Sequence, residues 1–154
     1  MDKLDELIKN YREKEETREE RAKRLKDELY RRVVLRIMEW EEVLTGKILP
    51  VLNTYEKKLQ ENGFGWQLIP LDKITRRGEH KPLMEFCIDI KKERALGRLL
   101  FKLDIDDGKL AWREIGGNAE TERQGYSIPL RDLDEQKTQE IINDFLERIL
   151  ATTS

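Results

Sequence analysis

Cysteine and long apolar runs are both scarce in this chain of 154 residues. Its single cysteine, Cys87, cannot form a disulfide within the chain. No run approaches the roughly 18 apolar residues of a membrane-spanning helix. The start of the chain, residues 1–6, is acidic and polar, unlike a secretory signal. These features predict a cytoplasmic protein with no membrane partner.

An excess of charge of one sign is also missing. Charged residues make up 40% of the chain, yet Lys plus Arg number 30 and Asp plus Glu 32, which leaves a net charge of −2. A protein that coats nucleic acid needs net positive charge, so nucleic acid is not expected as a partner. The only hints of a basic cluster are Arg31, Arg32, Arg36 and the segment 76–81.

The sequence shows no recognisable catalytic group. His80 is the only histidine, and it lies among Arg76, Arg77 and Lys81 in a polar stretch. This stretch could hold a general base or contact a phosphate, but a solvated loop is the better interpretation because no partner for a triad is in place. Cys87 falls inside a predicted strand, which favours a buried, unreactive thiol.

Two segments superficially resemble ligand-binding loops. Residues 104–108 resemble a calcium loop, but Gly108 is one position early and Ile115 stands where a glutamate is required. Gly116 and Gly117 lack the spacing of a phosphate-binding loop. The sequence therefore predicts no cofactor and no metal, and the polar loop 116–127 remains the first place to look for a binding edge.

The N-terminal part is predicted to be one long helix. From Arg12 to Glu28, fourteen of seventeen residues are charged, seven of each sign, and no Gly or Pro precedes Gly46. Acidic residues precede basic ones by four positions at Glu19–Lys23 and Glu20–Arg24, an order that stabilises helices. We therefore predict a helical extension over residues 1–45 and a compact domain over residues 46–154.

The apolar residues of this helix are unevenly spaced. Leu4, Leu7, Ile8 and Tyr11 form a first cluster, and after a polar gap a second stripe follows at steps of three or four: Leu25, Leu29, Val33, Ile37, Trp40 and Leu44. A strict 3.5-residue seam is absent, so a long ideal coiled coil is not supported. The second half is predicted to pack on a broad surface, and the first half to project or to pair with another chain.

The remaining elements can be placed by period and by turn residues. Gly46 and Pro50 predict a kink or a restart of the helix, and Asn62-Gly63 predicts its end. Alternating apolar residues then predict four antiparallel strands, with Asp107-Gly108 as a two-residue turn that pairs Ile105 with Leu110 and Leu103 with Trp112. Asp132, followed by Glu135, is predicted to cap a final amphipathic helix that packs on the sheet.

The predicted fold is thus α+β: a long kinked helix, a four-stranded antiparallel sheet and a C-terminal helix. The most favoured function is a non-enzymatic interaction or adaptor module that self-associates, as a homodimer, through its N-terminal helix or a face of the sheet. The alternatives are a small acidic chaperone-like peptide-binding protein and a ligand-binding domain that uses loops 76–81 and 116–127. The candidate interaction residues are Leu25, Leu29, Val33, Trp40, Arg76, Arg77 and His80.

Overall fold

The computed structural model describes residues 2–71, 83–116 and 125–151. The chain forms two compact units, residues 1–35 and residues 36–154. The described elements, in chain order, are α1 (Lys3–Val43), a π-helical segment (Leu44–Ile48), α2 (Leu49–Glu61), β1 (Gly65–Pro70), β2 (Glu85–Lys92), β3 (Arg94–Asp104), β4 (Lys109–Gly116), β5 (Tyr126–Pro129), a 3₁₀ turn (Leu130–Asp132) and α3 (Glu135–Ala151). The α+β class predicted from the sequence is confirmed. Within the described ranges, no helix is both long and apolar enough to cross a membrane.

The long N-terminal helix is confirmed, and α1 continues into α2 through the π-helical segment. Pro50 lies in the first turn of α2, so the backbone N–H that a continuous helix would use at this position is missing. In a regular α-helix the proline ring would clash with the carbonyl four residues earlier. The π-helical segment directly before Pro50 has a wider turn, which relieves this clash. The irregularity predicted near Gly46 and Pro50 therefore takes the form of a π segment.

The end of α2 is a Schellman motif, as Asn62-Gly63 predicts. Gly63 has a positive φ of 85°. The Phe64 N–H donates to the Leu59 carbonyl at 2.9 Å and the Gly63 N–H to the Gln60 carbonyl at 3.1 Å. These bonds satisfy two carbonyls that the helix end would otherwise leave unpaired, and they turn the chain into β1.

The sheet has five strands, so the prediction of four was wrong. All neighbours pair antiparallel in the order β1-β2-β3-β4-β5. The missed strand, β5, has only four residues and ends at Pro129, and its first two residues lie in the stretch 116–127 that was predicted to be a polar loop. A proline in a strand is tolerated at an edge, and both Pro70 in β1 and Pro129 lie in edge strands.

The predicted register of the β3–β4 hairpin was also wrong, by two residues. Leu103 pairs with Leu110 and Phe101 with Trp112, and residues 105–108 form a longer turn. Gly108 has a positive φ of 64° and its N–H donates to the Asp104 carbonyl at 2.9 Å. A shift of two residues preserves the side-chain alternation, so the predicted faces of both strands are correct.

One face of the sheet, called here the core face, packs against helices. Phe86 and Phe101 stack on it with ring centroids 5.1 Å apart. The buried residues of this core come from the sheet, from residues 40–52, from Leu130 and Leu133, and from α3. Gly97 lets α3 approach closely, since a Cβ there would lie 2.6 Å from Ile149 Cγ2. The C-terminal helix thus packs on the sheet as its apolar stripe predicts.

Polar contacts at its start, middle and end hold α3 in place. The carboxylate of Asp134, not Asp132, caps its start by accepting the Lys137 N–H at 2.7 Å, because the 3₁₀ turn delays the helix by two residues. The Tyr55 hydroxyl donates to Asn143 Oδ1 at 2.5 Å. On the sheet side, Arg148 forms a two-pronged ion pair with the buried Glu114 carboxylate, including an Nε–Oε2 bond of 2.7 Å.

Candidate interaction surfaces

The first candidate surface is an apolar stripe on the N-terminal unit. Its residues, called here the N-terminal stripe, are Leu4, Leu7, Ile8, Tyr11, Leu25 and Leu29. At 3.6 residues per turn they fall within an arc of about 100°. An apolar helix face of this width normally packs against a protein core or another helix. All of them are between 43% and 63% exposed, whereas apolar side chains of such size are usually buried.

The N-terminal unit has no core of its own. In α1 the buried residues are Trp40 and Val43, both in the second unit. Residues 2–32 are all exposed. An isolated helix of this kind is held by local hydrogen bonds and charge pairs alone, which stabilise it weakly in water. The N-terminal stripe is therefore apolar area that pairing with another helix would remove from water.

The stripe predicted over residues 25–44 is split by the structure. Leu25 and Leu29 are more than 60% exposed, whereas Trp40 is fully buried. The Trp40 indole N–H donates to the Leu83 carbonyl at 3.0 Å, so this side chain belongs to the core of the second unit. Val33, between them, is half-buried. Arg76, Arg77 and His80 lie outside the described residues.

The second candidate surface is the other face of the sheet. Cys87 on β2 is fully buried there, and its neighbours across β3 and β1 are Leu100 and Ile69. Burial raises the pKa of the Cys87 thiol, and the nearby Asp89 carboxylate raises it further. The thiol is thus held protonated, which fits the unreactive cysteine that the sequence predicts.

A charged pair lies beside Cys87 on this face. Arg98 Nε and Nη2 contact the two carboxylate oxygens of Asp89 at 2.6 and 2.8 Å. The Cys87 thiol is a weak donor to the same carboxylate at 3.9 Å. Because each charge already has a partner of opposite sign, this pair offers little net charge to a ligand.

A cleft of about 640 Å³ opens at this end of the sheet. The residues that line it include Gln67, Asp89, Lys91, Arg98 and Gly116. Gly116 is the first residue of loop 116–127, which the sequence indicates as a binding edge; most of that loop lies outside the described residues. In the part of the chain that the structure describes, no group of His, Cys, Asp and Glu is placed to hold a metal ion.

Sequence periodicity indicated an apolar helix face but gave no measure of its exposure. The signal that could have separated Leu25 and Leu29 from Trp40 is the charge density, which is highest up to Glu28 and falls after it. The cleft has no comparable signal, because its residues come from strands that meet only through the sheet pairing.

Comparisons of this chain with protein-family models, with curated proteins and with solved structures found no match.

Proposed function

We propose that this protein is a non-enzymatic protein–protein interaction module that self-associates through the N-terminal stripe. The observation that supports it is the exposure of six large apolar side chains on one face of an otherwise highly charged helix. Each large side chain that moves from water into a helix–helix contact contributes about 1.5–3 kcal/mol when fully buried. A cytoplasmic location and a role without nucleic acid remain part of this proposal.

A pair of matched substitutions tests it. Leu29→Glu places a charge in the N-terminal stripe, whereas Leu35→Glu makes the same change at a leucine of similar exposure that lies outside the stripe, about 120° around the helix from Leu29. We expect the unsubstituted protein to have a solution mass of twice 18.4 kDa by light scattering. Leu29→Glu should shift this to the monomer mass, and Leu35→Glu should not.

The result separates the possible modes of association. A monomer at all concentrations would contradict self-association. A dimer that Leu29→Glu leaves intact would move the interface away from the N-terminal stripe, towards the second face of the sheet. Circular dichroism of both variants checks that the helix persists, so that loss of the dimer is not mistaken for loss of the helix.

The ligand-binding alternative is supported by the cleft beside Asp89 and Arg98. It ranks second because Asp89 and Arg98 already form an ion pair with each other. The peptide-binding alternative would use an edge strand, β1 or β5, to pair with an extended segment. Thermal-shift measurements with metabolites and with extended peptides test these two alternatives. They do so separately from self-association, because neither alternative requires the N-terminal stripe.

A further inference from the structure

The two clusters of the N-terminal stripe are in phase, although charged residues separate them. Starting at Leu4, alternate steps of four and three residues lead through positions 8, 11, 15, 18, 22, 25 and 29. This is the a/d progression of a coiled coil over nearly four heptads. Apart from Ala22, the positions between the clusters are Glu15 and Arg18, both exposed. These eight positions are called here the seam. Six of them are apolar, and the charged Glu15 and Arg18 interrupt the apolar pattern in the middle.

We infer that a second copy of this chain pairs with the seam in antiparallel orientation, such that facing residues have numbers that sum to 33; this rests on the proposed function. In this register Leu4 faces Leu29 of the second copy, and Ile8 faces Leu25. The large Tyr11 faces the small Ala22. Every apolar seam residue meets an apolar partner, and the largest of these side chains meets the smallest, which favours close packing.

The central layer decides the orientation. In the antiparallel register Glu15 faces Arg18 of the second copy, and the symmetry of the dimer makes this pair twice. In a parallel dimer each seam residue faces its own copy, so Glu15 would meet Glu15 and Arg18 would meet Arg18. Like charges facing each other in a desolvated seam are strongly unfavourable, whereas an opposite pair also fixes the register.

The charged residues that flank the seam support the antiparallel register on one side only. On one side Asp5 lies beside Lys26 of the second copy and Arg12 beside Glu19, which gives opposite charges at each contact. On the other side Lys14 lies beside Arg21, a like pair. Exposed flanking pairs contribute little each, so the orientation depends mainly on the seam.

Cysteine cross-linking tests the orientation in the full chain. Leu4→Cys and Leu29→Cys proteins are mixed and oxidised mildly, and the native Cys87, being buried, stays out of reach. We expect the mixed 4–29 disulfide as the main product. A matched control uses Glu6→Cys with Asp27→Cys, which sum to 33 but lie on the outward face, and which should not cross-link. Predominant 4–4 and 29–29 products would overturn the antiparallel arrangement.

Charge reversal provides a second measurement. Glu15→Arg places an arginine against Arg18 of the second copy, and we expect the dimer dissociation constant to rise about tenfold. Adding Arg18→Glu to the same chain should restore it. Glu13→Arg, on the outward face, is the control with the same change in net charge. In a parallel dimer the single and double variants would both dissociate as the unsubstituted protein does.

The outcomes separate this inference from the proposed function. An unsubstituted protein that is monomeric overturns both. A dimer that Leu29→Glu dissociates, but that gives 4–4 cross-links or no rescue by Arg18→Glu, leaves the proposed function in place and overturns the antiparallel register alone.

Discussion

At the scale of single residues, Cys87 shows that a side chain on the face of a strand opposite the core can still be fully buried. It alternates with Phe86 and Ile88, which point into the core, yet it is itself fully buried. Strand periodicity placed it correctly on the face opposite Phe86. Its place inside a strand also favoured burial, but its neighbours Leu100 and Ile69 could not be predicted, because the sequence does not give the register between strands.

We predict that the Cys87 thiol of the native protein does not react with iodoacetamide at pH 8 and reacts fully in denaturant. Its raised pKa, caused mainly by burial, also makes stability depend on pH. The unfolded thiol loses its proton first, near pH 8.5, so its contribution is present below that pH and is lost as the pH rises further.

The measurement is the free energy of unfolding between pH 7.5 and 9.5, for the protein and for Cys87→Ala. We expect the unsubstituted protein to lose more stability over this range than the variant. Parallel pH profiles, or rapid alkylation of the native protein, would show that the thiol is accessible. The Tyr55 hydroxyl, whose pKa burial also raises, is common to both proteins and cancels.

At the scale of elements, long regular segments were predictable and short irregular ones were not. β2 and β3 carry clear alternation, and α3 carries a clear stripe. β5 has too few residues for a period to be counted. In the hairpin, contacts distant in sequence favour the longer turn: the Leu130 N–H donates to the Gly108 carbonyl at 3.0 Å, and Arg36 Nε donates to the Ile105 carbonyl at 3.2 Å.

The contact between α3 and β3 gives a prediction at this scale. Gly97→Ala would place a methyl group 2.6 Å from Ile149 Cγ2 and 3.2 Å from Phe145 Cζ, so helix or strand must shift. We expect a loss of about 1–3 kcal/mol in the free energy of unfolding, the usual cost of overpacking a core. Chemical denaturation with urea measures it.

Gly46→Ala is the matched control for that substitution. It makes the same change inside the helical segment, where an added Cβ meets nothing within 4 Å. Alanine is the better helix former, so this variant should be neutral or more stable by up to about 1 kcal/mol. If both variants lost the same stability, close approach at Gly97 would not be the cause.

At the scale of the whole molecule, the two units are stabilised by different means. Residues 36–154 bury a core of aromatic and aliphatic side chains around the sheet. Residues 2–32 bury none of their side chains. The predicted division after residue 45 was set by composition and by Gly46, whereas the compact units divide after Leu35, because α1 enters the core with its last turns.

This difference predicts how each unit responds to dilution. If the N-terminal stripe is covered by a second copy, amide hydrogens of residues 3–32 should exchange slowly at high protein concentration and faster, towards the rate of an isolated helix, well below the dissociation constant. Those of β2, β3 and α3 should exchange at the same rate at both concentrations. Hydrogen exchange followed by mass spectrometry measures the exchange of both units in one sample.

In Leu29→Glu the helix should exchange fast at every concentration. Slow exchange of residues 3–32 in dilute solution would mean that the helix is stable without a partner, and the N-terminal stripe would then need no second copy to explain it.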